Sequence, residues 1–287
     1  MPRNLELQTQ EYMRTTRYTG GAVSLAYEIQ GSGPLLVFLH GIGGNRTNWQ
    51  EQLAHFGTKF CAVSWDARGY GASDDPPHPL QFSDYADDLV HLLDHLQAER
   101  AHLVGLSMGG MIVQDFYGRY PARVATLTLV DTSSGFGGVP AAVRRDFLAR
   151  RLDPLARGLT PADIAPSLVD VLVAKQASPR VRERLRASLA ALRPTPYQQA
   201  LHAIVTTDFR AILPRITVPT LVIVGEEDIV TPPSAAEFLA QNIAGAELVK
   251  IPGAGHLTNI ERPEVFNAAL ETFLDRHAQR ASVVSGA

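Results

Sequence analysis

The hexapeptide Gly105-Leu106-Ser107-Met108-Gly109-Gly110 sets one serine among three glycines, directly after the apolar run Ala101-His102-Leu103-Val104. A G-x-S-x-G pattern between an apolar run and a helix-like stretch reads as a tight strand-turn-helix that lifts the serine above a sheet. Gly105 and Gly109 then avoid side-chain collisions in the turn, and Ser107 takes a strained left-handed backbone conformation. The same six residues also fit a plain helix cap or an anion-binding turn. The two readings differ in what else the chain must contain. An alcohol becomes a nucleophile only with a base to take its proton and a third group to orient that base.

On either side of this turn, short apolar runs alternate with helical patterns. Residues 35–39, 60–65, 102–106, 127–130 and 221–224 are continuous apolar runs, as expected of strands covered on both faces of a parallel sheet. Before them, 14–18 and 23–29 read as two strands joined through Gly20-Gly21 in a hairpin. Helices are expected at 47–56, 83–96, 107–120, 233–243 and 263–277, with Ser83 as an N-cap and prolines 233 and 263 at helix starts. A hairpin followed by repeated strand-helix units predicts an α/β fold: a mostly parallel sheet with helices on both faces.

The rhythm breaks at about 136–214, where no strand-like run appears. Prolines 140, 154, 161, 166, 179, 194 and 196 divide this region into short helices, so it reads as a helical cap inserted into a core made of 1–135 and 215–287. Its charge is distinct: 141–215 carries 13 basic and 6 acidic residues, the rest of the chain 13 basic and 23 acidic. Arg180, Arg182, Arg184 and Arg186 read as a solvated face, with room for one or two arginines to turn inward toward an anionic substrate.

Composition limits the partners. With 45% hydrophobic and 19% charged residues and a net charge of −3, the chain has the profile of a soluble globular protein, and nucleic acid is not an expected partner. Cys61 is the single cysteine, and no Cys/His cluster has zinc-ligand spacing, so neither a disulfide nor a metal is expected. The first twenty residues lack a signal peptide's apolar segment, and no run is long enough to span a membrane. A cytoplasmic location follows as the expectation. Nothing in the sequence sets an oligomeric state.

The serine's partners are then sought downstream. Asp228 lies in the loop after the run 221–224, with Glu226 and Glu227 as competitors, and loops at strand carboxyl ends are where open α/β sheets place their sites. His256 follows a further short run at 247–251, in the flexible turn Gly253-Ala254-Gly255-His256. His78, His91, His95 and His277 have ordinary loop, helix or terminal readings. A serine nucleophile also needs two backbone N–H groups to hold the developing oxyanion. Met108, after the serine, supplies one by position, and Ile42, within His40-Gly41-Ile42-Gly43-Gly44, is the candidate for the other; His40 itself reads as structural.

Five motifs carry a resemblance: HGIGGN from His40, WDARGYGAS from Trp65, GLSMGG from Gly105, GEEDIVTP from Gly225 and GAGHLTNIERPE from Gly253. Over about 18–277 the chain resembles the α/β-hydrolase superfamily, whose partners occur in the order Ser, Asp, His seen here. Within it, with the segment PYQQALHAIVTTDF, it is most similar to 3-oxoadipate enol-lactonases. The resemblance implies cofactor-free hydrolysis of an ester or lactone. It implies Ser107 as nucleophile, His256 as general base, Asp228 as orienter, and the Ile42 and Met108 N–H groups as oxyanion donors. One departure concerns the cap, where the lactonases carry a tryptophan: both tryptophans here, Trp49 and Trp65, lie outside it.

The leading expectation is therefore acyl transfer to water, on a small ester or lactone, with a carboxylate on the substrate suggested by the basic cap. Carbon–carbon bond hydrolysis of ring-cleavage products uses the same three residues and is the alternative. Cofactor-free perhydrolysis and a ligand-binding receptor of the same fold rank lower. Dehalogenase and epoxide hydrolase chemistry is disfavoured because those enzymes carry an aspartate where Ser107 stands. Phe136, Met108 and Leu257 are expected to line the pocket between sheet edge and cap.

Overall fold

The computed structural model describes residues 15–286. Nine strands form one sheet: β1 (Arg17–Tyr18), β2 (Ala26–Gln30), β3 (Ser32–Leu39), β4 (Cys61–Trp65), β5 (Ala101–Leu106), β6 (Val124–Val130), β7 (Thr220–Gly225), β8 (Glu247–Ile251) and β9 (Val283–Ser285). They lie in the order β1-β2-β4-β3-β5-β6-β7-β8, with β9 added against the start of β3. From β4 to β8 every pairing is parallel. Only the β1–β2 hairpin, its junction with β4, and β9 are antiparallel.

Alternation along a strand decides which layer each residue joins. Leu35, Val37 and Leu39 of β3 pack into one core with Leu89 and Leu92 of α2 (Asp84–His95), Ile112 and Phe116 of α3 (Met108–Arg119) and Leu239 of α8 (Pro233–Asn242). Leu36 and Phe38 face the opposite core, built with Leu53 and Phe56 of α1 (Gln50–Phe56) and Phe266, Leu270 and Phe273 of α10 (Pro263–Asp275). Helices therefore cover both faces, as the two-sided apolar runs require. Trp49 and Trp65 are fully buried, Trp49 stacked against Phe38 and Phe266.

Between β6 and β7 the chain leaves the sheet through α4 (Ala141–Ala156), α5 (Pro161–Leu172), α6 (Pro179–Ala190) and α7 (Pro194–Ile204). Pro161, Pro179 and Pro194 open their helices, but Pro154 and Pro166 sit inside α4 and α5 rather than separating them. Pro154 falls in the last turn of α4, where its missing N–H costs one bond and the helix is ending anyway. Three other expectations are corrected. The first hairpin strand spans only Arg17–Tyr18, Arg14 lying outside the described residues, and its partner begins at Ala26 rather than residue 23. Ser83 has helical backbone angles and no capping side-chain bond. Asp84, one residue later, instead accepts the Gln81 N–H at 2.9 Å. Finally, β9 has no counterpart in the sequence reading.

Candidate active site

At the carboxyl edge of the sheet, β5 turns directly into α3 at Ser107, whose φ of 53° places it in the positive region anticipated for the turn. The crowding that excludes side chains is explicit. A Cβ on Gly105 would lie 2.3 Å from Gly109 O, and one on Gly109 would lie 2.3 Å from Leu39 O. Ser107 N–H donates to Val130 O at 2.9 Å, and Thr132 Oγ1 donates to Ser107 O at 2.7 Å, so the end of β6 clamps the turn from both sides. Ser107 caps nothing: its side chain makes no bond to the helix backbone.

That side chain instead meets His256. Ser107 Oγ and His256 Nε2 are 2.9 Å apart, and His256 Nδ1 and Asp228 Oδ2 are 2.8 Å apart. A carboxylate only accepts, so His256 donates from Nδ1 and leaves Nε2 to accept the serine hydrogen. Asp228 is held in turn by the N–H groups of Val230 and Thr231 on Oδ1, at 2.7 and 3.0 Å, and by Thr231 Oγ1 on Oδ2 at 2.8 Å. All three residues of the line are buried. Glu226 and Glu227, its competitors in the loop, are exposed.

Burial disfavours charge on His256, but the Asp228 carboxylate beside it more than offsets this and holds the imidazole above its ordinary value. For Asp228, burial raises, while the charge and hydrogen bond of His256 and the Thr231 donors lower further, leaving the carboxyl below its usual range. The pair is thus arranged to stabilise an imidazolium facing a carboxylate.

Ser107 and His256 open into a cavity of about 310 Å³ whose walls include Ile42, Phe136, Phe147, Leu185, Leu189 and Leu257. Phe136 and Leu257 are part of this lining. Met108 is not: its side chain is fully buried in the core, with the Tyr70 hydroxyl 3.9 Å from its sulfur. As the first residue of α3, Met108 has no acceptor within the helix for its N–H. Among the described residues neither that N–H nor the Ile42 N–H enters a turn or loop backbone bond. Gly41 brings the Ile42 loop against the serine, its Cβ position lying 3.0 Å from Ser107 Cβ. His40 is structural, its Nδ1 on Gly41 O at 2.8 Å and its Nε2 accepting Ala67 N–H at 3.1 Å.

Several residues at the site escaped the sequence reading. Arg151 of α4 lines the cavity, its guanidinium 3.9 Å over the Phe147 ring, donating to Phe147 O at 3.0 Å and facing the Tyr197 hydroxyl. Other arginines between β6 and β7 pair with acids: Arg150 with Asp146, Arg182 with Asp170, Arg184 with Glu51, Arg193 with Asp75. Among the described residues Arg151 meets no carboxylate. Asp131, at the end of β6, is fully buried beside the site; its signal was available, since like Asp228 it is an acid at the carboxyl end of an apolar run. Glu261 of α9 (Thr258–Glu261) braces the His256 loop by accepting the Gly255 N–H at 3.0 Å and, through its other oxygen, the Ala174 N–H at 2.8 Å. The described residues contain no cluster of metal-ligating side chains, and no described helix is long and apolar enough to cross a membrane.

Known proteins share both the sequence and this architecture. A 3-oxoadipate enol-lactonase 2 from Acinetobacter baylyi is 32% identical over 262 residues, covering 90% of this chain and 96% of that protein. A hydrolase from Pseudomonas aeruginosa PA01 superposes with a TM-score of 0.82 at 36% identity, over 91% of this chain and 98% of the other. The enol-lactonase from Burkholderia xenovorans LB400 gives 0.80 at 29% identity, over 90% and 100%. The alpha/beta hydrolase fold family matches residues 34–263, the span from β3 through the His256 loop to the start of α10, and the chain belongs to that family.

Proposed function

We propose that this protein is a serine hydrolase that cleaves a carboxylic ester or lactone through an acyl-enzyme. The observation that carries the reading is the continuous line from Ser107 Oγ through His256 to Asp228, at 2.9 and 2.8 Å, opening into an apolar cavity. Ser107 Oγ attacks the substrate carbonyl while its proton passes to His256 Nε2, and Asp228 holds the ring and stabilises the imidazolium. The Ile42 and Met108 N–H groups, which point to no turn or loop acceptor, hold the tetrahedral anion. His256 then returns the proton to the leaving alkoxide. Water then attacks the acyl carbon while His256 Nε2 takes its proton, and the Ser107 Oγ–acyl bond breaks as His256 hands that proton to Ser107 Oγ, releasing the acid and restoring the serine. The steps draw on no cofactor or metal.

The core is taken as 1–135 and 215–287, with 136–214 as a helical cap that walls the cavity. A cytoplasmic setting agrees with the one cysteine, Cys61, being buried and unpaired. Relatives named enol-lactonases support the lactone side of the reading, and Arg151 in the wall, which meets no carboxylate among the described residues, supports a carboxylate on the substrate. The test is a panel of p-nitrophenyl esters, lactones and vinylogous diketones against wild type and Ser107→Ala. Ester and lactone turnover that disappears in Ser107→Ala is expected, with a fall of at least about 10⁴-fold. Ester turnover that survives the substitution refutes the mechanism, and turnover of the diketones alone replaces it with carbon–carbon bond hydrolysis.

A further inference from the structure

Asp131 is a buried acid with no Lys or Arg partner among the described residues. It is 0% exposed and its backbone has a φ of 42°, an uncommon angle for a residue with a side chain. Three donors surround its carboxylate: Gly225 N–H on Oδ1 at 2.9 Å, and Thr258 N–H and Thr258 Oγ1 on Oδ2 at 3.0 and 2.7 Å. Gly225 ends β7 and starts the loop carrying Asp228, while Thr258 lies two residues beyond His256. One side chain thus spans the two loops whose relative register sets the 2.8 Å bond between His256 and Asp228.

Burying an unpaired carboxylate is expensive, and three donors offset only part of the cost. The groups facing it are Asp228 from the β7 loop and His256 from the β8 loop. The field at His256 also includes Arg151 from α4, and the imidazole's charge in turn acts on Glu261 of α9. Burial first, and Asp228 second, push Asp131 up to about 7, while His256 and the Thr258 donors act against them; with both oxygens accepting from N–H and O–H donors, the hydrogen bonds suit the ionised form. The one nearby group that can gain a positive charge during the proposed reaction is His256.

We propose that Asp131 is a positioning residue: its ionised carboxylate locks the His256 loop to the Asp228 loop and adds a second negative charge beside the imidazolium formed when His256 takes the serine proton. This rests on the serine-hydrolase reading for its consequence in turnover, though not for its effect on His256. Asp131→Asn is nearly isosteric and keeps an acceptor for Gly225, but turns an NH₂ toward the two Thr258 donors and removes the charge.

In Asp131→Asn, kcat for p-nitrophenyl acetate is expected to fall roughly 10- to 100-fold with KM within about twofold. Followed by NMR, the titration of the His256 imidazole moves to lower pH, because the charge that favours its protonated form is gone. That second readout needs no turnover, so it stands even if Ser107→Ala overturns the reaction. An unmoved His256 titration overturns the proposal whatever the activity does. Should Asp131→Asn fail to fold, Thr258→Val removes the 2.7 Å hydroxyl donor and is expected to lower kcat, with Thr258→Ser restoring it. Wild-type kcat in Thr258→Val overturns the lock.

Discussion

Arg151, in the cavity wall, is the residue on which the proposed carboxylate of the substrate can be tested. Burial pulls its guanidinium below the ordinary arginine value, with the nearby Tyr197 oxygen acting in the opposite direction. Stacking on Phe147 holds the charge toward the cavity, and the aliphatic stem adds to the apolar wall. A substrate carboxylate arriving there would meet a guanidinium that no acid among the described residues neutralises, one of its donors already on Phe147 O. Arg151→Met keeps the length and apolar contact while removing the fork. It is expected to raise KM for a monoalkyl ester of a dicarboxylic acid by roughly 10- to 100-fold, and to leave the matching neutral diester within about twofold. Steady-state kinetics on the two substrates check this, and equal losses on both would remove Arg151 from substrate recognition.

At the scale of elements, α6 matters because it grips the loop that carries Ile42. Ser188 Oγ donates to Gly43 O at 3.0 Å and accepts from Asn45 Nδ2 at 3.2 Å. One turn away, Arg184 chelates Glu51 at 2.7 Å and reaches Thr47 O. Arg184 is thus a strut between inserted helix and core, not part of a solvated face. Arg186, paired only with Glu183 of its own helix, and exposed Arg180 keep that plainer reading. Ser188→Ala leaves Gly43 O and the Asn45 amide without these partners, at a cost of about 1–2 kcal/mol in stability. Because the Ile42 N–H belongs to the same loop, acylation is expected to slow several-fold more than deacylation-independent substrate binding weakens. Urea melts and pre-steady-state bursts measure the two effects, and a stability loss with an unchanged burst rate would confine α6 to a structural role.

The elements that motif and periodicity could reveal were those whose environment is uniform along the chain. Residues 35–39 of β3 and all of β4 to β7 are buried on both faces, so they stand out as mainly apolar runs, and the GLSMGG turn is crowded enough that only glycines fit around its serine. By contrast β9 is short and mostly exposed, and its place against β3 depends on a pairing nearly the whole length of the chain away. Arg151 reads like any other arginine of the inserted helices, because its burial depends on how α4 and α7 pack, which sequence spacing does not encode. Asp131 was legible as a strand-end acid, but its two loop partners become visible only once β6, β7 and β8 are side by side.

Across the whole molecule, the sheet's two edges divide reaction from stability, and two histidines report on them separately. At the carboxyl edge, His256 is held above its ordinary value near 6.5, so the acid limb of kcat/KM is expected above that pH, where the base begins to be lost. At the amino edge, His102 of β5 is fully buried, with Nδ1 on Thr126 Oγ1 at 2.9 Å and Nε2 on Ala278 O at 3.3 Å. Burial lowers its pKa to about 4. The folded value is depressed, so below about 6.5 the unfolded chain takes up a proton that the folded chain refuses. The stability this residue contributes is present above pH 6.5 and is lost as pH falls toward 4, a loss of roughly 3 kcal/mol at most. Activity should therefore decline at a higher pH than the fold begins to weaken. His102→Gln keeps one acceptor and one donor without a titrating ring, and is expected to flatten the fall in urea midpoint between pH 6.5 and 4 while the acid limb of activity stays in place. A midpoint that falls as steeply in His102→Gln as in wild type would assign the acid sensitivity to other groups, and a limb that moves with it would mean that the two edges are coupled through the sheet.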